Sequence, residues 1–261
     1  MEIQFDKYQG AGNDFIIMDN RSGKYSSITA SQIEKLCNRF KGIGADGVIL
    51  IESHGSLDFE MRYFNSDGNL SSMCGNGGRC AVAFAFRHNI INEETTFMAV
   101  DGLHEANLIS ENEVRLKMQD VEGLTQNGNA VIVDTGSPHF VLLLDDIQSI
   151  DVKKEGAAIR YSEAFKEKGI NVNFIEMQSE KTFAIRTYER GVENETLACG
   201  TGAVAAALTM HYLGNSRKET QLVMKASGGD LIIDFELSKQ GYKNIYLQGP
   251  STFVFSGTIS I

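Results

Sequence analysis

Residues 71–86 read SSMCGNGGRCAVAFAF and residues 195–208 read ETLACGTGAVAAAL. Each stretch sets a cysteine, Cys74 or Cys199, among glycines and then runs into a segment that is apolar nearly all round. A helix without a polar face must be surrounded by the rest of its domain. The two cysteines are 125 residues apart (199 - 74 = 125), and the same offset pairs Phe15 in GNDFIIMD with Phe140 in SPHFVLLLD and Tyr63 in MRYFN with Tyr188 in RTYER. It also pairs Gly75 and Gly77 with Gly200 and Gly202, and one further residue of shift sets TFMAVDG (96–102) beside QLVMKASG (221–228). Several ungapped matches at one offset indicate an internal duplication. The chain therefore reads as two halves, 1–119 and 120–250, with a final strand at about 251–261 able to pack back on the first.

Within each half the pattern is mostly strand. DFEMRYF (58–64), EVRLKM (113–118) and TFAIRTY (182–188) alternate with period two, while FIIMD, GVILIE, AVIVD and FVLLL are short apolar runs of strand length. A peripheral helix is expected over 31–41, with Ser31 and Glu34 as a capping box and Ile33, Leu36, Cys37 and Phe40 on one face. The expected class is α+β: two pseudo-symmetric domains, each a curved, mostly antiparallel sheet wrapped around a central apolar helix.

Composition narrows the function. The 261 residues carry 42% hydrophobic and 22% charged residues, as in a water-exposed globular protein. With 24 basic against 34 acidic residues and no basic cluster, the formal net charge of -10 argues against a nucleic-acid partner. MEIQFDKYQG at the N-terminus alternates like a strand and has no signal-peptide h-region, and the longest apolar runs, 80–86 and 203–210, fall far short of the roughly 20 residues that span a bilayer. No membrane partner and a cytoplasmic location are expected. Cys37, Cys74, Cys80 and Cys199 form no Cys-x-x-Cys pair, and the five histidines never take a metal-ligand spacing, so no metal site is expected.

The first turn of a helix carries N–H groups without intrahelical acceptors and the positive end of the macrodipole. Glycines 75, 77, 78, 200 and 202 are expected to clear side chains away from those groups, leaving each cysteine beside an anion hole. The same field favours thiolate over thiol, which suits proton transfer near neutrality. If the pseudo-twofold brings the two helix starts face to face, a substrate carboxylate between them receives N–H donors from both. One thiolate then removes a proton alpha to that carboxylate, the opposite thiol returns one on the other face, and a stereocentre inverts without a cofactor. A lone Cys-Gly is otherwise a small buried residue at a tight turn. Its recurrence at equivalent points of a duplication favours the chemical role, whereas Cys37 and Cys80, at apolar helix positions, read as core.

These residues resemble the diaminopimelate epimerase family. The resemblance runs end to end through GAGNDF (10–15), GIGADG (42–47), RYFNSDG (62–68), MCGNGGRC (73–80), GSPHFV (136–141) and YERGVENETLACGTGA (188–203). It implies a cofactor-independent interconversion of LL- and meso-diaminopimelate in lysine and peptidoglycan precursor synthesis, by a homodimer. Carried over by position, it implies Cys74 as proton donor and Cys199 as proton acceptor, with the N–H groups of Gly75, Asn76, Gly200 and Thr201 holding the reacting carboxylate. It also implies Asn13, Asn65, Asn171, Glu189 and Arg190 as substrate-binding residues, Arg190 against the distal carboxylate, with His139 and Ser137 in support. Ser137 stands where many members have asparagine and Gly47 where some have glutamine, which puts contacts at those two positions in question. A proline or hydroxyproline racemase-type enzyme is the near alternative, and a two-cysteine redox sensor is the alternative from another class.

Overall fold

The computed structural model describes residues 1–71 and 73–261. In chain order the elements are β1 (Glu2–Gly10), β2 (Asn13–Asp19), α1 (Ala30–Cys37), β3 (Gly47–Glu52), β4 (Phe59–Asn65), α2 (Gly75–Arg87), β5 (Glu94–Ala99), β6 (Gly102–Ser110) and β7 (Glu113–Lys117). They continue with β8 (Val121–Glu122), β9 (Thr125–Asn127), β10 (Ala130–Asp134), β11 (Pro138–Leu144), α3 (Val152–Arg160), β12 (Asn171–Met177), β13 (Thr182–Glu189) and β14 (Asn194–Thr196). The last are α4 (Gly200–Tyr212), β15 (Gln221–Ala226), β16 (Gly229–Leu237), β17 (Gly241–Pro250) and β18 (Thr252–Ser260). Internal contacts divide the chain into one unit of residues 1–116 and 249–261 and another of residues 117–248.

In the first unit the strands pair in the order β18-β1-β2-β3-β4-β5-β6-β7. Only β2–β3 and β4–β5 are parallel, and these are the pairs whose connections carry α1 and α2, since a parallel neighbour can be reached only by a crossover. In the second unit β10-β11-β12-β13-β15-β16-β17 repeats that sequence of pairings, again with two parallel pairs, β11–β12 and β13–β15, spanned by α3 and α4. The duplication inferred from the 125-residue offset is thus present strand by strand.

Each unit wraps its sheet around one helix. Residues 75–85 of α2 are buried throughout, against β1, β2, β3, β4, β6 and β18. In α4, ten of the first eleven residues are buried, with Thr201 half-buried, against strands β10 to β13, β15 and β16. The other sheet face carries the peripheral helix: Ile33, Leu36 and Cys37 of α1 pack on Ile16, Met18, Val48 and Leu50. Strands covered on both faces lose the polar alternation, which is why FIIMD and GVILIE read as continuous apolar runs. Among the described residues no helix is long and apolar enough to cross a membrane.

The α1 expectation needs correction at both ends. Its N-cap is Thr29, whose hydroxyl accepts from the Gln32 N–H while the Gln32 side chain accepts from the Thr29 N–H, so Ser31 and Glu34 form no box. The helix stops at Cys37 because the Asn38 side chain takes the N–H groups of Phe40 and Lys41, turning the chain outward and leaving Phe40 96% exposed. Helix α3 has no counterpart in the sequence reading. Asp151 caps it, and Gly156 in its middle permits contact with Tyr188, for an added Cβ would lie 2.4 Å from the Tyr188 Cβ.

Candidate active site

Cys74 is the N-cap of α2 and makes no side-chain capping bond, and the first turn holds no acidic residue. The cysteine side chain is half-buried, while Gly75 and Asn76 behind it are buried. Asn76 Nδ2 donates to Asn13 Oδ1 at 3.0 Å, and Asn13 in turn donates to the Asp46 carboxylate. Arg79 Nη2 donates to Asn76 Oδ1 at 2.9 Å, Nη1 to the Gly75 carbonyl at 3.2 Å and Nε to the Pro250 carbonyl at 3.4 Å. Two residues expected at the site, Asn13 and Asn76, are therefore joined directly, with Arg79 as their third member. Asp14, adjacent to Asn13, is clamped by Lys7 and by both Nη atoms of Arg39, which also reaches Asp46. Against the upward pull of burial, these cations hold the Asp14 carboxyl at about 2. Asn65 ends β4 in register with Gly47, and its backbone closes a turn with Gly68 and Asn69.

Cys199 is the N-cap of α4, likewise without a side-chain capping bond. Its Sγ lies 3.5 Å from Thr201 Oγ1, and the Thr201 carbonyl accepts from Thr135 Oγ1 at 3.0 Å. Asn171 joins two other expected residues: its Nδ2 donates to Ser137 Oγ at 2.8 Å and its Oδ1 accepts from the Arg190 N–H at 2.9 Å. The Arg190 guanidinium donates to the same Ser137 Oγ at 3.3 Å and to the Lys168 carbonyl at 3.1 Å. Glu189 accepts from Thr196 Oγ1 at 2.9 Å. Ser137 thus serves as the hub of this group.

His139 is fully buried, and burial, reinforced by the positive charge of Arg190, pushes its imidazole down to about 3. Asn173 faces its Nδ1 at 3.0 Å. The Asn173 amide is oriented by Thr187, whose hydroxyl donates to Oδ1 at 2.9 Å, and by the Phe140 carbonyl, which accepts from Nδ2. A neutral ring accepting at Nδ1 carries its proton on Nε2. Asn173, Thr187 and Thr135 were not singled out in the sequence. Register reveals the first two, since it sets Asn173 opposite Thr187 across β12 and β13, and Thr135 shows only through its bond to the Thr201 carbonyl.

The proposed role of the glycines changes at three positions. A Cβ on Gly77 would lie 3.3–3.5 Å from Ile49, Phe15 and Met61, and one on Gly78 would lie 3.1 Å from the Met73 sulfur and 3.4 Å from Leu116. These two glycines seat the helix on its own core rather than clearing room for a ligand. On Gly202 a Cβ would lie 2.5 Å from Asn173 Oδ1 and 3.3 Å from the Cys199 sulfur, so this glycine admits the Asn173 amide to the helix start. Gly47 is fixed for a similar reason, because a Cβ there would meet the Phe64 carbonyl at 2.4 Å and the Tyr63 ring at 2.5 Å.

A duplicated α+β unit, each copy starting its core helix at an uncapped cysteine, places the chain in the fold class of racemases, epimerases and phenazine biosynthesis PhzF proteins. Solved structures of that class align along the whole chain: a Bacillus anthracis phenazine biosynthesis protein of the PhzF family at 12% identity and TM-score 0.73, covering 100% of both chains. A probable proline racemase from Agrobacterium radiobacter aligns at 14% identity and TM-score 0.68, covering 99% of this chain and 93% of that one. The chain belongs to the diaminopimelate epimerase family, whose model matches residues 5–123 and 131–254. Relatives named diaminopimelate epimerase include one from Flavobacterium psychrophilum, 49% identical over 97% of this chain and 98% of its own length. Another, from Chlorobaculum tepidum, is 44% identical over 97% and 99%.

Proposed function

We propose that this protein interconverts LL- and meso-diaminopimelate by proton transfer at one alpha carbon, with Cys74 and Cys199 as the acid–base pair. The observation that carries the reading is the repetition of one device, an uncapped half-buried cysteine at the N-terminus of a core helix, at positions 74 and 199. Inversion of a stereocentre needs one proton acceptor and one proton donor, on opposite faces of the carbon. In the LL direction Cys199 takes the alpha proton and Cys74 supplies its replacement. Between the two steps the negative charge moves onto the carboxylate oxygens, where the N–H groups of Gly75, Asn76, Gly200 and Thr201 meet it. No step calls on a metal or an organic cofactor.

Asn13, Asn65, Asn171, Glu189 and Arg190 hold the remainder of the substrate. The substrate's second end carries both a carboxylate and an ammonium group, and Arg190 with Glu189 offers the complementary charges. Ser137 supports this assignment by anchoring both Asn171 and Arg190, and His139 stays neutral behind the Cys199 helix start. On the same reading we propose that the protein acts in the cytoplasm, in lysine and peptidoglycan precursor synthesis, as a homodimer. The exposed Val254 and Phe255 of β18 are compatible with such a subunit contact.

The test is incubation with LL-diaminopimelate in deuterium oxide, following formation of the meso form and uptake of deuterium at the alpha carbon. Proline and hydroxyproline serve as competing substrates. Turnover of the imino acids alone would overturn the reading in favour of a proline racemase-type enzyme.

A further inference from the structure

Among the described residues, Arg79 is the largest fully buried side chain. It opens the second turn of α2 and its guanidinium reaches back to Gly75 and Asn76 in the first, where the macrodipole already places positive potential and no residue is acidic. Its three hydrogen-bond acceptors, the Gly75 and Pro250 carbonyls and the Asn76 amide oxygen, are all neutral, and among the described residues no carboxylate lies within ion-pair distance of it. A buried cation in such surroundings is costly unless an anion compensates it. Two thiols interact with it electrostatically, Cys80 and Cys74. Cys80 is unsuited to the role, because complete burial pushes its thiol up to about 12 and keeps it protonated. That leaves the half-buried cysteine at the helix cap.

We infer that Arg79 is a positioning residue for charge, the counter-ion of a resting Cys74 thiolate, so that in the substrate-free protein Cys74 is ionised and Cys199 is protonated. The thiol proton of Cys74 is released to solvent. The duplication supplies an internal control: position 204, equivalent to 79 (79 + 125 = 204), is a buried valine, so α4 carries no cation at the matching place. The inference rests on the proposed function only in calling these two thiols the acid–base pair. It then fixes which direction the resting form serves, the one in which Cys74 accepts and Cys199 donates.

The other groups around α2 leave this assignment in place. Tyr8 on β1 has its phenol pushed up by burial and stays neutral. Asp46, three hydrogen bonds from Arg79 through Asn76 and Asn13, is paired with Arg39. Asp101 accepts from the Met73 backbone and is paired with His104 at 3.1 Å. Asp6, His88 and Arg87 gather at the opposite end of the 13-residue helix, roughly 20 Å away.

The test is pulse alkylation of the substrate-free protein with iodoacetamide from pH 5 to 9, reading the modification at each cysteine by peptide mass spectrometry. The reagent is neutral, and the thiolate displaces iodide to form a carbon–sulfur bond. The midpoint of the pH profile, which does not depend on accessibility as the rate does, is expected at least about one pH unit lower for Cys74 than for Cys199. Coincident or reversed midpoints in the wild-type protein would overturn the inference without any variant. Arg79→Lys should keep the order, and Arg79→Met should raise the Cys74 midpoint towards that of Cys199. A low midpoint that Arg79→Met leaves in place would remove Arg79 from the role, and should that variant not fold, the wild-type order and Arg79→Lys still decide. Deuterium uptake by the wild-type protein is measured separately: lost order with intact turnover sinks this inference alone, and absent turnover sinks the proposed function.

Discussion

Helices α2 and α4 each begin at a cysteine without a side-chain cap, each has a glycine two residues after its first, and each is buried for almost three turns. Past the backbone the likeness ends. Around the start of α2 lie Arg79, Asn76, Asn13 and the Asp46–Arg39–Asp14–Lys7 cluster, a chain of charged and amide groups. Around the start of α4 lie Thr201, Thr135, Asn173, Thr187 and a neutral His139. Duplication kept the geometry that puts a thiol at a helix N-terminus and let the surrounding charge diverge. Under the proposed mechanism the two thiols must start in opposite protonation states, and by the inference drawn from Arg79 unlike surroundings provide that difference before substrate arrives.

The largest effect should fall where the two units agree. Cys74→Ala and Cys199→Ala are each expected to lower epimerisation by roughly 10²–10⁴-fold, with the far-UV circular dichroism spectrum and urea midpoint nearly unchanged, since both side chains lie at helix caps outside the core. Full racemising activity in either variant would end the two-thiol mechanism. Next comes the position where the units differ most. Val204→Arg would bury a cation where the sequence offers no second Asn76, because the residue two before Gly202's neighbour is Thr201. We expect a loss of about 3–5 kcal/mol in urea unfolding, and a loss below about 1 kcal/mol would show that the α4 start accommodates a charge as readily as α2 does.

Much of this was legible in the sequence, and the reasons are physical. The repeat showed because both core helices are apolar all round and both cap with cysteine, signals that survive divergence. Helix α3 did not show, because of its nine residues only Val152 and Gly156 are buried, too few to mark a face, and its glycine is there for contact with Tyr188. Helix α1 was found but misbounded, since Thr29 with Gln32 and Ser31 with Glu34 offer the same capping chemistry two residues apart and only the folded chain chooses. Arg79 was visible within its motif, yet an arginine in a sequence carries no sign that it will be buried without a carboxylate. The Asn173–His139 contact depends on strand register, which joins residues 34 positions apart.

A smaller effect separates two equivalent glycines, Gly77 and Gly202 (77 + 125 = 202). The atoms that a Cβ on Gly77 would meet are the ends of Ile49, Phe15 and Met61 side chains at 3.3–3.5 Å, which can give slightly, and alanine also gains helix propensity. On Gly202 it would lie 2.5 Å from an amide oxygen already fixed by Thr187. Gly77→Ala should therefore change stability by less than about 1 kcal/mol, whereas Gly202→Ala should cost about 1–3 kcal/mol and lower turnover by displacing Asn173. Equal costs in thermal or urea unfolding would mean that the two glycines do the same work.

The gentlest contrast is one of slope, between His139 and its equivalent Asp14 (139 - 125 = 14). Both titrate below their ordinary values, His139 at about 3 because burial favours the neutral ring and Asp14 at about 2 because Arg39 and Lys7 outweigh burial to favour the anion. A depressed value means that the unfolded chain binds the proton first, so each group contributes stability above its unfolded value and loses it as pH falls towards its folded one. The windows differ: His139 acts from about pH 6.5 downwards, and Asp14 only below about 4. The part that His139 adds to the fall in urea-unfolding stability between pH 6 and 4.5 should accordingly have a slope of at most about 1.4 kcal/mol per pH unit, beside the part from His211, which burial also depresses. His139→Gln should flatten that slope, and Asp14→Asn should leave it in place while weakening the protein at every pH above 4. If His139→Gln leaves the slope unchanged from the wild-type protein, the imidazole is not held neutral, and the second unit guards its helix start with charge after all.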